Sequence, residues 1–311
     1  MKVIKPPRLQ KGDVIGIVAP SSSPRDLTLF ENGIRYIEKN GFRVEVAKNI
    51  SKSYGYLAGT DSERIQELHA MFANKNIKAI FVARGGYGLH RIIANFDFTL
   101  IKRNPKIIVG YSDVTALHIA VWKKCRIISL SAPLVVEFSE KLTGKQEEIF
   151  WQLLTSTKKM SISYDLNNDY CQSPFPRKTI VGRLLGGNLT LFSTLCGTSF
   201  FPSMKDSLFY FEDVGEEPYR IDRMLQQLKL AQVFRNANGI ILGDFSGCDA
   251  KNKNSLTLRQ IFSDVFSSEK YAVASGLNYG HCPDTLAIPF GTLAKLNFKK
   301  KKLELLENLV E

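Results

Sequence analysis

Long apolar runs and paired cysteines are both missing from this chain of 311 residues. No stretch approaches the roughly 18 to 20 uninterrupted apolar residues of a membrane-spanning helix, so we expect no transmembrane segment and no membrane partner. The basic N-terminal residues are followed by no apolar core of about 7 to 15 residues, which argues against a secretion signal. The 5 cysteines are scattered and form no Cys-x-x-Cys pair, so neither a disulfide framework nor a zinc site is indicated. We therefore expect a cytoplasmic protein with free thiols.

An excess of basic residues gives the chain a formal net charge of +12 at pH 7. Such a charge can attract nucleic acid, an anionic membrane surface or an acidic small substrate. The lysines are dispersed apart from the run Lys299–Lys302, and no stripe alternates basic side chains with the aromatic ones that stack on single strands. We interpret the excess as a lysine-rich solvated surface and expect no nucleic-acid partner.

Strand and helix signals alternate through the first half of the chain, which predicts a doubly wound, mostly parallel sheet with helices on both faces. The strand segments are DVIGIVAP, FRVEVA, KAIFVA, KIIVG and RIISL. Ligands of such sheets bind beyond the carboxyl ends of the strands. The segments ARGGYG and GYSD both follow strand ends, which is the first indication of a site.

A polar stretch containing proline separates the two halves of the chain. We predict an N-terminal α/β domain over residues 1–154, a linker over 155–178 and a smaller, β-rich α/β C-terminal domain over 179–311. The second half mixes strand segments such as SLFYFED with helical ones such as YRIDRMLQQLKLA and ends in a β-rich tail.

Ser112 lies where an apolar strand runs through Gly110 directly into a helix. Hydrolases present a nucleophilic serine on such a strand-to-helix turn, near the positive end of the helix dipole. Glycine before the turn lets the chain bend tightly. The alternative is that Ser112 or Asp113 only caps the helix, a common role for either residue type.

The double glycine of ARGGYG follows the preceding strand and can point backbone amides at an anion or oxyanion. Its spacing does not fit the dinucleotide-binding fingerprint, and a structural turn is the alternative reading. Beside Ser112, the amides of Gly86 and Asp113 could receive a tetrahedral oxyanion. Arg84 could bind a terminal carboxylate in bidentate fashion, or could brace the glycine loop.

Histidine is scarce, with 4 in the chain, so a general base can be sought by elimination. His69 lies within a predicted helix, and His118 lies six residues after Ser112, on a different face of the same helix. His90 follows the glycine loop and stays possible, although a helix-surface role is favoured. His281 follows an apolar strand and precedes a proline, a position that fixes a histidine while leaving it able to move a proton. His281 is therefore the best candidate.

A base of this kind needs an orienting carboxylate. Glu212 stands at the end of an apolar run and is the acid most expected to be buried and fixed, since buried acids are seldom kept without a partner. The alternative is that Glu212 or Asp213 caps the helix that follows, and periodicity does not decide between the two.

Together these segments resemble one family, the LD-carboxypeptidases, with their relatives the microcin C resistance peptidases. The resemblance covers nearly the whole chain, in the family's order. It rests on the blocks IGIVAPSS, ARGGYG, GYSDVTALH, GRLLGGNLTLF, FEDVGEEPYRIDRML, ILGDF, YGHCPD and IPFG.

The resemblance implies a catalytic triad of Ser112 as nucleophile, His281 as general acid and base, and Glu212 as orienting carboxylate. The order Ser, Glu, His crosses the predicted linker, so both domains would contribute. The amides of Gly86 and Asp113 match the family's oxyanion hole.

Asn188 and Glu216 match positions that contact substrate in the family. Relatives that destroy the nucleotide antibiotic tend to have lysine where this chain has Glu216, and an acid there better suits the free amine of a diaminopimelate-type side chain. The implied activity is hydrolysis of the L,D amide bond that releases terminal D-alanine from murein tetrapeptides during peptidoglycan recycling. Neither metal nor cofactor is implied, and homodimers are usual.

Three alternatives stay open. The first is a resistance peptidase of the same fold, which would cleave a peptidyl-nucleotide antibiotic. The second is a catalytically silent homologue that would only bind peptides. The third is a glutaminase-type amidotransferase on a similar sheet, although that chemistry usually needs cysteine at the strand-to-helix turn where this chain has Ser112. One segment departs from the family, since many relatives have His-Gly-Pro where this chain has Ser131, Ala132 and Pro133. That difference leaves the triad intact and bears on substrate preference.

Overall fold

The computed structural model describes residues 2–158, 162–166, 179–203, 205–266 and 272–311. Its strands are β1 (Val14–Val18), β2 (Arg43–Val46), β3 (Ile77–Val82), β4 (Ile107–Val109), β5 (Ser129–Ser131), β6 (Ser163–Asp165), β7 (Thr179–Asn188), β8 (Ser207–Val214), β9 (Ala237–Ser246), β10 (Val273–Ser275), β11 (Ile288–Phe290), β12 (Leu293–Asn297) and β13 (Lys302–Leu305). Its α-helices are α1 (Leu27–Lys39), α2 (Asp61–Ala73), α3 (Leu89–Ile92), α4 (Phe98–Arg103), α5 (Thr115–Cys125), α6 (Phe138–Lys141), α7 (Gly144–Thr155), α8 (Leu189–Thr194), α9 (Pro218–Leu230) and α10 (Leu258–Phe266).

The chain divides into two compact units. The first contains Met1–Lys158 together with Ala287–Pro289 and Asn308–Glu311, and the second contains Lys159–Leu286 and Phe290–Glu307. The chain thus returns to the first unit twice near its C-terminal end. Within the stretch predicted as a linker, residues 159–161 and 167–178 lie outside the described residues, and β6 pairs antiparallel with β13 of the second unit.

The first unit is built on a six-stranded sheet with the order β11-β5-β4-β3-β1-β2. β1 to β5 pair in parallel wherever they are neighbours. Ile80, Phe81, Ile107 and Ile108 are fully buried, as expected for parallel strands covered on both faces. The predicted α/β class is confirmed, and the strand order places the carboxyl ends of β1, β3 and β4 side by side.

The second unit contains a seven-stranded sheet with the order β10-β9-β8-β7-β12-β13-β6. β7 to β10 are parallel neighbours, whereas β12, β13 and β6 add to the β7 edge as antiparallel strands. This mixed sheet agrees with the β-rich second domain that the sequence predicts. The interior strand β8, between β9 and β7, is buried along Ser207–Asp213.

Two predicted helices differ in detail from the structure. The helix predicted through LHRIIANF is present as α3 followed by a 3₁₀ turn over Ile93–Asn95. Helix α4 was not predicted, and Asp97 caps it by accepting a bond from the amide of Leu100 at 2.9 Å. The amide of Asp97 in turn donates to Nε2 of His69 at 2.9 Å. The helix predicted from Asp113 starts as a 3₁₀ turn over Ser112–Val114 and becomes α-helical at Thr115.

Helix α1 shows how packing overrides local preference. Gly33 lies inside the helix, where glycine costs about 1 kcal/mol relative to alanine. A Cβ at this position would overlap the carbonyl oxygen of Val135. Glycine is therefore required here by close packing against a neighbouring segment, in spite of its low helix propensity.

No helix in the described ranges is both long and apolar enough to cross a membrane.

Candidate active site

The first candidate residue, Ser112, lies on the turn between β4 and α5 in the first unit. Ser112 has φ of +62°, a left-handed conformation that is uncommon for a side chain other than glycine and typical of a strained nucleophile turn. Gly110 has φ of +154°, and a Cβ there would lie 2.9 Å from Cγ2 of Val114 and 3.2 Å from Cβ of Val82. The predicted sharp strand-to-helix turn is present, and Gly110 is the residue that permits it.

The glycine loop after β3 runs directly against this serine. A Cβ on Gly85 would lie 3.1 Å from Oγ of Ser112, so only glycine leaves the hydroxyl its space. Gly86 has φ of +104° and is exposed, and its amide donates to no acceptor in the described part of the chain. An amide in an exposed residue four positions beyond the end of β3 is suited to receive an anion.

The carboxylate of Asp113 connects three strand-end loops, a role that the sequence did not reveal. It is fully buried, and its Oδ2 accepts from Oγ of Ser21 at 2.5 Å and from the amide of Leu89 at 3.0 Å. Burial raises the pKa of this carboxyl, while the two hydrogen bonds act in the opposite direction. Asp113 thereby ties the loop after β1 and the start of α3 to the turn of Ser112.

Arg64 reinforces the same connection from α2. Its guanidinium is buried and donates from Nη1 to the carbonyl oxygens of Pro20 and Gly88, the latter at 3.0 Å. A buried arginine whose donors serve backbone carbonyls fixes the loops it joins, because leaving those groups unpaired would be costly. The glycine loop is therefore held from both sides, by Asp113 and by Arg64.

Arg84 lies partly buried in the first unit and donates from Nη1 to the carbonyl oxygen of Ser23 at 3.1 Å. Burial lowers the pKa of the Arg84 guanidinium, and the nearby charge of Arg25 adds to the effect. The bond to Ser23 shows that Arg84 contacts the loop after β1, as in the bracing alternative. Binding of a terminal carboxylate stays a prediction.

In the second unit, Glu212 is paired with His281. Glu212 lies on β8 and is fully buried, and its Oε2 is 2.7 Å from Nδ1 of His281, which is partly exposed. A carboxylate on Nδ1 selects the tautomer that leaves Nε2 as the basic nitrogen. The structure thus brings together the base and the orienting acid that the sequence singled out.

Gly280 makes this pair possible. Its φ is +137°, and a Cβ there would lie 2.9 Å from Cβ and 3.0 Å from Oε2 of Glu212. The amide of Gly280 donates to Oγ1 of Thr285 at 3.0 Å, which fixes the loop that carries His281. The motif YGHCPD therefore contains the histidine and also the glycine that lets the chain approach the acid.

Asn188 and Asp213 form a buried group on the neighbouring strands β7 and β8. Asn188 caps α8 through Oδ1, and its Nδ2 donates to Oδ1 of Asp213 at 3.1 Å. Asp213 also accepts from the amide and the hydroxyl of Thr190, at 2.9 and 2.8 Å. Burial is the main cause that raises the pKa of Asp213 to about 6. Asp213 thus helps to cap α8 rather than the helix that follows it.

Glu216 lies in the loop between β8 and α9. Its carboxylate is partly exposed, and Oε2 lies 3.4 Å from Nη1 of Arg220. This ion pair is long and solvent-accessible, so it stabilises the loop only weakly. Contact of Glu216 or Asn188 with substrate stays a prediction.

The other three histidines lie in the first unit, in surroundings that indicate a structural role. Nε2 of His69 accepts from the amide of Asp97, as described above. Burial lowers the pKa of His90, against the opposing charge of Asp113. His118 is fully buried on α5 and bonds through Nε2 to the carbonyl oxygen of Gly110 at 2.8 Å. His118 therefore holds the strand end from which the serine turn begins.

His118 gives a testable pH dependence. Burial lowers its pKa to about 4, although the bond to Gly110 opposes the shift, whereas an unfolded histidine has a pKa of about 6.5. Between these values the unfolded chain binds a proton that the folded chain does not, so acidification favours unfolding, by about 3 kcal/mol in total. Urea unfolding at pH 7.5 and 4.5 should show this loss in the wild type and a smaller loss in His118→Gln.

His69→Gln is the matched control, because burial of His69 is only partial and its pKa is lowered less. An equal loss of stability on acidification in wild type and His118→Gln would contradict the assignment of this pH dependence to His118.

No group of three or more potential metal-ligating side chains occurs in the described ranges of the chain.

A strained serine turn beside glycine amides, and a buried carboxylate on a histidine, are the components of serine hydrolases on α/β frameworks. Family models assign the chain more narrowly: the LD-carboxypeptidase N-terminal domain matches residues 15–132, and the LD-carboxypeptidase C-terminal domain matches residues 181–296. The chain belongs to the LD-carboxypeptidase family, and it is a carboxypeptidase of the serine type.

Individual relatives agree along the whole length. The chain is 36% identical to the "Probable murein peptide carboxypeptidase" of Bacillus subtilis, over 96% of this chain and 92% of the relative. It is 27% identical to the "Microcin C7 self-immunity protein MccF" of Escherichia coli, over 96% and 94% of the two chains. The crystal structure of muramoyltetrapeptide carboxypeptidase from Oxalobacter formigenes superimposes with a TM-score of 0.82 at 27% identity, covering 94% of this chain and 97% of that one.

These matches confirm the family resemblance and the fold class predicted from the sequence. The amidotransferase alternative is set aside, because the family found over both parts of the chain is one of carboxypeptidases.

Proposed function

We propose that this enzyme is a serine LD-carboxypeptidase that releases the terminal D-alanine from murein tetrapeptides. The observation that carries the proposal is the 2.7 Å contact between the buried Glu212 and His281 in a chain of the LD-carboxypeptidase family. In such a pair the carboxylate orients the histidine as a general base, and the histidine offsets the cost of burying the carboxylate.

In the proposed mechanism His281 takes the proton of the Ser112 hydroxyl, and the serine oxygen attacks the carbonyl carbon of the scissile amide. The amides of Gly86 and Asp113 receive the resulting oxyanion. The imidazolium then gives its proton to the leaving nitrogen of D-alanine, and the C–N bond breaks to leave an ester on Ser112. Water, deprotonated by the same histidine, hydrolyses this ester and restores the serine.

Substrate selection is assigned to Glu216, Asn188 and Arg84. Glu216 is partly exposed and forms a long ion pair to Arg220, so its carboxylate can exchange that partner for the side-chain ammonium of a diamino acid. Asn188 is held rigidly by Leu191 and Asp213, which would fix an amide group for the peptide backbone. Arg84 would bind the carboxylate of the terminal D-alanine.

The enzyme is proposed to act in peptidoglycan recycling. It is proposed to do so in the cytoplasm, as a homodimer. The free thiols of Cys125, Cys196 and Cys248 are in keeping with a reducing compartment. Small muropeptides are the partners in this setting.

The test is mass spectrometry of a murein tetrapeptide ending in D-alanine after incubation with the wild-type enzyme, with Ser112→Ala as the control for contaminating activity. Loss of one alanine with the wild type only is expected. Cleavage of a peptidyl-nucleotide conjugate but not of the tetrapeptide would contradict the proposal and favour the resistance peptidase. Cleavage of neither substrate would favour the silent binding protein.

A further inference from the structure

Two exposed tyrosines form a pair on the loops of the first unit. Tyr56 is 60% and Tyr87 45% exposed, and their ring centroids lie 5.8 Å apart at an interplanar angle of 58°. Single exposed aromatic side chains are normal at a protein surface, whereas adjoining ones form a patch of the kind that can mark a binding site. Neither ring has a place in the mechanism described above.

The backbone under Tyr56 is firmly held. Its carbonyl oxygen accepts from Oγ of Ser22 at 2.6 Å, and the amide of Ala58 donates to the carbonyl oxygen of Ser21 at 3.0 Å. Leu57 and Ala58 are buried and anchor the loop. The segment that carries the Tyr56 ring is therefore already positioned before a ligand binds, which lowers the entropic cost of binding.

The pair lies close to the nucleophile. Tyr87 is two residues beyond Gly85, whose Cα faces the Ser112 side chain, so the α-carbons of Gly85 and Tyr87 are at most about 8 Å apart. A peptide residue spans at most about 3.5 Å, so a group attached three residues from the scissile bond lies about 10 Å from it. The rings are within reach of such a group.

Two ion pairs lie on the segments next to the tyrosine pair. Arg91 binds Asp61 through two hydrogen bonds of 2.9 Å, and Lys52 binds Glu63 at 2.6 Å. Asp61 above all, with smaller effects from the phenols of Tyr56 and Tyr87, raises the pKa of the Arg91 guanidinium. Cations already paired with carboxylates offer little to a phosphate, whereas phenol and guanidinium groups can still bond to neutral hydroxyls and amides.

We propose that Tyr56 and Tyr87 form a platform that binds the sugar portion of a muropeptide, so that the enzyme favours glycosylated over free tetrapeptides. A pyranose has an apolar face that stacks on an aromatic ring and a rim of hydroxyls that the phenols can bond. The tilted, open pair suits such a ring better than a nucleobase, which would need parallel planes and a counter-charge for its phosphate. This inference rests on the proposed function.

The experiment compares kcat/KM for one tetrapeptide, free and carried on its disaccharide, in wild type, Tyr56→Ala and Tyr87→Ala. The variants should lose about 5- to 10-fold with the glycosylated substrate, through KM, and should cleave the free peptide as the wild type does. Tyr56→Phe should keep most of the preference, since stacking survives. Tyr54→Ala is the matched control, because Tyr54 is equally exposed, at 61%, and belongs to the same loop.

Other outcomes separate the two proposals. If the wild type cleaves neither substrate, the proposed function fails. If it cleaves both equally well and the variants do the same, only the platform fails. Equal losses with both substrates would assign the tyrosines to peptide binding or loop positioning, and a change in the molecular mass in solution would assign them to an interface between copies. Either result overturns the sugar platform.

Discussion

Ser112→Ala is expected to lower kcat for D-alanine release by about 10⁶-fold while the fold is retained, the size of effect seen when a triad nucleophile is removed. The reason is that the turn between β4 and α5 holds Ser112 in a left-handed conformation against Gly85, where a Cβ would lie 3.1 Å from the serine Oγ. The measurement is single-turnover release of D-alanine followed by mass spectrometry.

The conformation of Ser112 supplies a second readout of the same site. Alanine at φ of +62° keeps the backbone strain, whereas glycine relieves it, so Ser112→Gly should be about 1 kcal/mol more stable than Ser112→Ala although both are inactive. Ser62→Ala, an exposed serine on α2, is the control and should remain fully active. Activity of Ser112→Ala near the wild-type level would show that Ser112 is only a helix cap.

Glu212→Gln is expected to lower kcat by about 10⁴-fold with little change in KM. Glutamine has nearly the shape of glutamate, but its amide can donate to Nδ1 of His281, which moves the ring proton to Nε2 and removes the base. The remaining effect is electrostatic, since the neutral amide does not stabilise an imidazolium. The measurement is kcat of Glu212→Gln and of the wild type as a function of pH, which gives both the size of the loss and its pH dependence.

Asp222→Asn is the matched control for Glu212→Gln, because Asp222 lies on α9 and its carboxylate accepts from the side chain of Gln226. Its activity should equal that of the wild type. If Glu212→Gln kept its activity and lost only stability, Glu212 would be a structural acid, and the proposed triad would be wrong.

The regular elements were largely predictable from local patterns. The apolar runs of β1, β3 and β4 and the capping box of Thr60 and Glu63 at α2 follow from residues that are neighbours in sequence. Helices α4, α6 and α7 were missed, and the residue that caps α4, Asp97, is held through its amide by His69 of another helix. Contacts between distant segments leave no periodic signal.

Some residues of the candidate site could likewise be predicted from the sequence, whereas others could not. His281 and Glu212 could be chosen by elimination and by apolar flanks, and the structure brings them to 2.7 Å. The roles of Ser112, Gly86, Asp113 and the substrate contacts stay predictions. The buried carboxylate of Asp113 was overlooked, since only its partners Ser21 and Leu89, 92 and 24 residues away, reveal what it holds.

By itself the sequence determined the α/β class, the family and the residue types able to perform acyl transfer, because these depend on periodicity and on blocks of neighbouring residues. The tertiary structure alone decided that Gly33 must be glycine, that Arg64 and Asp113 hold the glycine loop, and that Tyr56 and Tyr87 stand together. The physical reason is that close packing and buried hydrogen bonds join residues far apart in the chain, and their free energies depend on distances that no local pattern encodes.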